Sequence, residues 1–188
     1  MKKVVCTLVL LALTASLSTR AQQSPRAAST GGNSPHETTS AVVDGDRVTI
    51  TYGRPYTKNP KTGEMRKIWG GLVPYGKAWR MGSDEATVLI TQKPIVLGGT
   101  ELPAGAYTLY MVPEESGASK LAISKALGGW GIPVDQKHDV ARVDLEKSEA
   151  SSPANQFTIA VQKNPSGGGV IKLTWEDTVY SVPFTVQK

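Results

Sequence analysis

Apolar and polar residues alternate over short segments through most of the chain. Residues 47–52 (RVTITY) show the pattern most clearly, and similar segments rich in Val, Ile, Thr and Tyr recur at residues 86–91, 95–97, 106–112, 120–124, 141–145, 156–162, 170–176 and 178–186. A period of two is typical of β-strands with one buried face. Gly, Pro, Asn or Asp separates the segments, so most connections are expected to be turns.

The strongest local signal lies at residues 38–52. An extended run at residues 38–43 is followed by Asp44 and Gly45 and then by the alternating segment at residues 47–52. A dipeptide of this type between two strand signals favours a two-residue turn. The sequence therefore predicts a β-hairpin here.

The fold class follows from the number of short strand signals and from the lack of long helical patterns between them. No long amphipathic helical pattern is present to supply the crossovers of a parallel sheet. The sequence predicts an all-β fold, an antiparallel β-sandwich that is jelly-roll-like or a partly closed barrel. Pro183 within the last segment predicts a sheet edge or a bulge there.

Residues 53–84 break the alternation. They hold two tyrosines and two tryptophans, Tyr56, Trp69, Tyr75 and Trp79, among glycines and prolines, without a sustained period of two or of 3.6 residues. This long irregular aromatic-rich connection leaves room for one helical turn around residues 76–80. Long connections inside compact domains are usually functional or disordered, and the aromatic content argues against disorder.

The first residues have the pattern of a secretory signal. Lys2 and Lys3 precede an apolar stretch, Val4–Leu13, and small and polar residues ending at Ala21. We expect a signal peptide at residues 1–21, a flexible leader at residues 22–34 and a single domain at residues 35–188. The apolar stretch is shorter than the roughly twenty residues that span a bilayer, so no membrane insertion is expected after cleavage. The expected location is the periplasm or the outside of the cell.

Composition and charge limit the kinds of site and partner that we expect. Cys6, the one cysteine, lies in the expected signal peptide, so disulfides and thiolate metal sites are not expected in the mature chain. The formal net charge of +5 falls by three, to +2, when Lys2, Lys3 and Arg20 are removed. Such a balance gives no reason to expect nucleic-acid binding. The glycine clusters lack the Lys and Ser/Thr of a phosphate loop, so no cofactor is expected.

Four strings in order resemble a bacterial exported family, domain of unknown function 2911. They are SPHETTS at residues 34–40, TYGRPY at 51–56, GGLVPYGKAWR at 70–80 and LPAGAYTL at 102–109. The resemblance spans about residues 34–186 and implies an exported protein with no assigned activity. Two features depart from the family pattern: residues 59–65 lengthen a connection, and Ser83-Asp84 stands where Ala-Asn is expected. A role tied to that Asn amide is therefore not supported here.

A candidate ligand site comes from the irregular connection. Aromatic faces stack on sugar rings, and guanidinium groups bind carboxylates or phosphates in a bidentate manner. The candidate residues are Arg54, Tyr56, Trp69, Tyr75, Trp79, Arg80 and Glu85, with His36 from the first strand. The competing interpretation is structural: the aromatic rings cover one end of the fold, and Arg80 pairs with Asp84 or Glu85.

Three functions remain open on the sequence. The favoured hypothesis is binding of a saccharide or cell-envelope component. A hydrolase using His36 or a carboxylate pair is the alternative, with Glu37, Asp84, Glu85 and Asp139 as candidates. The third is a structural or interaction domain. The two mature histidines, His36 and His138, lack the spacing of a zinc motif, so no metal is expected. The sequence does not determine the ligand, the oligomeric state or whether the chain is an enzyme.

Overall fold

The computed structural model describes residues 34–188, and the expected signal peptide and residues 22–33 of the expected leader lie outside this range. It contains nine strands: β1 (His36–Val43), β2 (Asp46–Gly53), β3 (Thr87–Thr91), β4 (Ile95–Leu97), β5 (Thr100–Leu102), β6 (Gly105–Val112), β7 (Ser119–Ser124), β8 (Asp139–Lys163) and β9 (Gly169–Val186). Helical structure in the described range is limited to a 3-10 turn, Gln136–His138. The all-β prediction is confirmed. No helix among these residues is both long and apolar enough to cross a bilayer.

The strands form one antiparallel sheet in the order β1-β2-β3-β6-β7-β8-β9-β4-β5. The sheet does not close on itself. Strand β8 joins its two halves, because residues 139–145 pair with β7 and residues 146–163 pair with β9. The antiparallel arrangement is confirmed, whereas the finer assignment to a sandwich, jelly roll or barrel stays a prediction.

The predicted hairpin of β1 and β2 is confirmed. Val43 pairs with Asp46 across the turn, and Asp44 and Gly45 both have positive φ, at 48° and 77°. Two positive φ angles match a turn whose twist agrees with that of the flanking strands. The buried carboxylate of Asp46 accepts hydrogen bonds from the amides of Gln92 and Lys93, at 2.9 Å each, and so ties the hairpin to the β3–β4 connection.

Two predicted separations between strands were wrong. Residues 141–145 and 156–162 belong to the single strand β8, and residues 170–176 and 178–186 belong to the single strand β9. The turn-like residues between them are absorbed by register shifts near Ala154, opposite Glu176 at φ 53°. A bulge accommodates extra residues while pairing continues on either side.

Residues 76–80 do not form the helical turn that the sequence allowed. The backbone of Trp79 exchanges two hydrogen bonds with Met111 of β6, at 2.7 and 2.8 Å. These bonds hold the connection in an extended form against the sheet, which excludes a helical turn at Trp79. Pro183 lies beyond Ser181, where the pairing of β9 with β8 begins, so its missing N–H leaves no gap in that ladder.

The core lies between the faces of this sheet and the connection that follows β2. The inward positions of the strands alternate as the sequence pattern requires, as in Val48, Ile50 and Tyr52 of β2. The connection adds Ile68, Val73 and Met81, all buried, to the same core. The aromatic-rich segment is therefore an ordered wall of the fold rather than a mobile insertion.

Candidate functional site

His36, at the start of β1, faces two carboxylates of the segment before β3. Its Nε2 lies 2.7 Å from Glu85 Oε2 and 4.0 Å from Asp84 Oδ2. The His36 side chain is 27% exposed, and Asp84 is buried. The contact ties the beginning of the first strand to the end of the irregular connection.

Arg54 joins three parts of the chain. Its Nη1 lies 2.6 Å from Glu37 Oε2 on β1, its Nε donates to Phe157 O at 3.1 Å, and its Nη2 donates to Thr158 Oγ1 at 2.8 Å. All three guanidinium nitrogens are thus engaged with protein atoms. Arg54 acts here as a clamp between β1, β2 and the second half of β8.

Trp69 and Trp79 lie in an aromatic cluster with Phe157, Trp175 and Tyr180. Trp79 stacks on Trp175 with ring centroids 5.7 Å apart, and Trp69 meets the edge of Tyr180 at 5.2 Å. Both tryptophans are half-buried and pack on the core. Their rings are already covered on several sides by other rings, which leaves little face for a ligand.

Tyr75 packs on a glycine. A Cβ at Gly70 would come within 2.8 Å of Tyr75 Cε2, and Gly70 has a φ of 74°. Only glycine meets both conditions, because its missing side chain allows the ring to approach and its backbone allows positive φ. Tyr75 therefore orders the Gly70-Gly71 turn and stands apart from the other candidates.

The segment from Met81 to Asp84 is strained and closely packed. Met81 and Asp84 have φ of 54° and 63°, which non-glycine residues adopt rarely. A Cβ at Gly53 would lie 2.1 Å from the Ser83 carbonyl oxygen, so the end of β2 touches this segment directly. The buried Ser83 Oγ and Asp84 Oδ2 make no hydrogen bond to other described residues.

Tyr56 stands between two open grooves. One, of about 310 Å³, is lined by Lys61, Arg66, Leu72 and Arg80, among others; the other, of about 470 Å³, is lined by Lys58, Asn59 and Asn155. Tyr56 is 37% exposed and lines both. No Asp or Glu of residues 34–188 lines either groove, so four cations face them without a neighbouring carboxylate on the walls. We call this pair of grooves the Tyr56 groove.

Arg66 is held in place over this surface by backbone carbonyls. Its Nε donates to Thr57 O at 3.3 Å, and its Nη2 donates to Tyr56 O. These contacts orient the guanidinium without neutralising its charge. A fixed cation beside an exposed ring loses little conformational freedom when a ligand binds.

Arg80 forms one end of the Tyr56 groove and also lines a separate pocket. Its Nη1 donates to Asp84 O at 2.5 Å and to Trp130 O at 3.1 Å, and its guanidinium lies 5.6 Å from the Trp130 ring centroid. Burial lowers the pKa of Arg80 from its ordinary value, against the charges of Asp84 and Glu85. The expected ion pair of Arg80 with Asp84 is a hydrogen bond to the backbone instead.

A further polar cluster surrounds Tyr110; of its members the sequence analysis named Asp139 but neither Tyr110 nor Arg142. Arg142 Nη2 donates to Tyr110 Oη at 2.9 Å and to Asp139 Oδ2 at 2.9 Å, and the Tyr110 hydroxyl donates to the same Asp139 oxygen. Burial raises the pKa of Tyr110 to about 12, and the hydrogen bond to Asp139 adds to the rise. Tyr110 lies on β6 and Asp139 and Arg142 lie on β8, and the sheet, with β7 between these two strands, brings them together.

The structure thus divides the predicted site residues. Tyr56 and Arg80 line one groove, His36 and Glu85 form one pair, Trp69 and Trp79 belong to the aromatic cluster, and Arg54 and Tyr75 hold other segments. The four carboxylates considered for hydrolysis are also dispersed: Asp84 and Glu85 surround His36, Glu37 pairs with Arg54, and Asp139 pairs with Arg142.

Lys58, Lys61 and Arg66, which line the Tyr56 groove, were not among the predicted site residues. The signal that could have found them is a local excess of cations within the lengthened connection at residues 58–67. As for metals, no three His, Cys, Asp or Glu side chains of the described chain come together in a group that could hold an ion.

One family matches the chain, over residues 34–184; it is described as "Protein of unknown function (DUF2911)". No curated protein and no solved structure matches the sequence significantly. The matched range covers nearly all the described residues, including every residue of the Tyr56 groove.

Proposed function

The chain belongs to the DUF2911 family, whose function is unknown, and on that premise we propose that it binds an acidic saccharide of the cell envelope along the Tyr56 groove. The observation that carries the proposal is the wall composition: an exposed tyrosine ring, four cations and no carboxylate. Export to the envelope is part of the proposal.

The chemistry of the groove fits a sugar that carries anionic groups. The face of Tyr56 offers a platform on which a sugar ring can stack. Arg66 and Arg80 offer planar donors for carboxylate or phosphate, and Lys58 and Lys61 add positive charge at the rim. The amides of Asn59 and Asn155 can bond to hydroxyl groups.

The size of the groove fits an oligosaccharide rather than a single small ion. Each of its two parts, about 310 and 470 Å³, falls within the range of typical ligand pockets, roughly 300–1,000 Å³. Because both parts are open and share Tyr56, a linear ligand can run past the ring on either side. We therefore expect at least two sugar units to contact the protein.

The test is a titration of the purified protein with a short oligogalacturonate, compared with its methyl ester of the same length. We expect saturable binding of the acid that weakens as salt is raised, and binding of the neutral ester that is weaker by about tenfold or more. Equal binding of both, or binding of neither, would overturn the proposal.

Matched variants locate the binding surface. Tyr56→Ala and Lys61→Gln are expected to weaken binding of the acid without changing the fold, since both side chains are exposed. Lys163→Gln removes the same charge from an exposed position that lines neither groove, so it is expected to leave binding unchanged. Loss of binding in Lys163→Gln equal to that in Lys61→Gln would mean that only net charge matters.

A further inference from the structure

A second, smaller pocket lies beneath the loop that joins β7 to β8. It has a volume of about 100 Å³ and lies between β6 and residues 126–135. Its apolar walls are Ala86, Leu109, Ala126, Leu127, Pro133 and Val134. Apart from Arg80, none of the residues lining this pocket lines the Tyr56 groove.

The uncharged polar groups of the pocket are already satisfied by the loop. Thr108 Oγ1 donates to Ala126 O at 2.5 Å, and Ser124 Oγ accepts from Ala126 N at 3.2 Å. Asp135, whose side chain is 51% exposed, accepts from the amide of Lys137 at 3.0 Å and lies 3.6 Å from His138. These bonds leave an apolar interior rather than a site for a polar ligand.

The charged side chain of Arg80, in contrast to these groups, has hydrogen-bond donors without a described acceptor. Both hydrogen bonds that it makes to described residues use Nη1, so its Nε and Nη2 donate to no acceptor among residues 34–188. The Nε–Nη2 edge of a guanidinium is a fork that matches the two oxygens of a carboxylate. Arg80 is also half-buried, where an anion gains more from a cation than it does in water.

We propose that this pocket binds a short-chain monocarboxylate, with its carboxylate on Arg80 and its apolar tail between Leu109 and Leu127. The pocket is small, about 100 Å³ against the roughly 300–1,000 Å³ of typical ligand pockets, which favours a short tail. Butyrate, with three carbons beyond its carboxylate, is such a ligand, and octanoate, with seven, is a longer one. The pocket and the Tyr56 groove share Arg80 and no other lining residue, so the two ligands differ in every contact except this guanidinium.

The test is an NMR titration of the purified protein with butyrate, with butanol and butylamine as neutral and cationic probes of similar shape. For a ligand of about six heavy atoms we expect a dissociation constant of about a millimolar. Butyrate should shift the amides of Ala86 and Ala126 and the indole of Trp130 saturably. Butanol, butylamine and octanoate should bind about tenfold more weakly or less.

Two variants separate this site from the groove. Ala126→Leu fills the pocket and is expected to abolish butyrate binding while leaving oligogalacturonate binding unchanged. Tyr56→Ala is expected to weaken oligogalacturonate binding while leaving butyrate binding unchanged. Absence of saturable shifts, shifts confined to residues of the Tyr56 groove, or equal binding of butyrate and butanol would overturn the proposal. Should Ala126→Leu fail to fold, the probe series on the unmodified protein decides it alone.

Discussion

Arg54 and Glu37 form an ion pair between the first two strands, with Nη1 and Oε2 2.6 Å apart. Neither residue lines the Tyr56 groove, and the other two guanidinium nitrogens of Arg54 bond to Phe157 O and Thr158 Oγ1 of β8. The pair therefore belongs to a joint between the two halves of the sheet. It uses all three guanidinium nitrogens of this arginine, whereas Nε and Nη2 of Arg80 donate to no acceptor within residues 34–188.

Arg54→Lys is expected to lower the free energy of unfolding by about 1–3 kcal/mol, because an ammonium keeps the charge but loses the fork that reaches β1 and β8 together. Urea denaturation measures the change. Arg47→Lys on the same strand is the control, since Arg47 is exposed and surface changes usually stay within about 0.5 kcal/mol. A similar small change in both variants would contradict the clamp.

Tyr52→Phe tests the contact between β2 and β8. The buried Tyr52 hydroxyl donates to Ile159 O at 3.3 Å and accepts from Ile159 N at 2.8 Å. Removing it leaves a buried amide without this partner, so we expect a loss of about 1–3 kcal/mol in urea denaturation. Tyr56→Phe, at an exposed ring, is expected to change stability by less than about 0.5 kcal/mol.

Stability is expected to fall at alkaline pH because of two buried tyrosines. Burial raises the pKa of Tyr52 and of Tyr110 from 10.0 to about 12. Between these values the unfolded chain ionises the phenols while the folded chain does not, so the unfolded state is favoured as pH rises. The stabilisation is complete below pH 10, and each group contributes a loss of about 2–3 kcal/mol by pH 12.

Urea denaturation at several pH values from 9 to 11.5 measures this dependence. Tyr52→Phe, which removes one of the two groups, is expected to reduce the slope of stability against pH above pH 10 relative to the parent protein. An unchanged slope would show that other groups cause the alkaline loss.

Asp46→Ala is expected to loosen the hairpin. Asp46 is fully buried, and its carboxylate accepts from the amides of Gln92 and Lys93 and from Thr91 Oγ1 at 2.6 Å. Removing three hydrogen bonds to one charged group should cost more than about 2 kcal/mol. Asp144→Ala is the control: its carboxylate is 65% exposed and pairs only with Lys120, so a loss below about 1 kcal/mol is expected. Comparable losses would contradict the role of Asp46.

Gly53→Ala probes the contact between β2 and the strained segment. A Cβ there would lie 2.1 Å from the Ser83 carbonyl oxygen, so the end of β2 and the segment around Ser83 would have to move apart. We expect destabilisation of about 1–3 kcal/mol in thermal and urea unfolding, as for overpacking in a core. At Gly129 the nearest such atom is 3.8 Å away and φ is not positive, so Gly129→Ala should be close to neutral. Retention of full stability by Gly53→Ala would rule out the close approach.

Sequence reasoning was accurate where the information is local. The turn at Asp44-Gly45 and the alternation of Val48, Ile50 and Tyr52 were recognisable because each depends on neighbouring residues only. It was wrong where a local signal competes with distant pairing. Residues 151–155 resemble a turn, yet the neighbouring strand β9 holds them within β8 as a bulge.

The candidate site shows the same division. Tyr56 and Arg80 were selected for their chemistry and lie in one groove, but nothing local distinguished them from Trp69 and Trp79, which lie among other rings. The other three cations of the groove, Lys58, Lys61 and Arg66, were missed because only the folded connection shows that they line the same groove as Tyr56.

The sequence by itself determined the all-β class, the first hairpin and the family, since alternation, turn residues and short motifs act over a few positions. Tertiary structure alone decided that Arg54 and Tyr52 reach residues more than a hundred positions away, that β8 is one strand, and that Arg80 lines two separate pockets. The reason is that a period of two specifies which face of a strand is buried, but not which strand lies against it. That choice depends on the packing energy of the whole sheet.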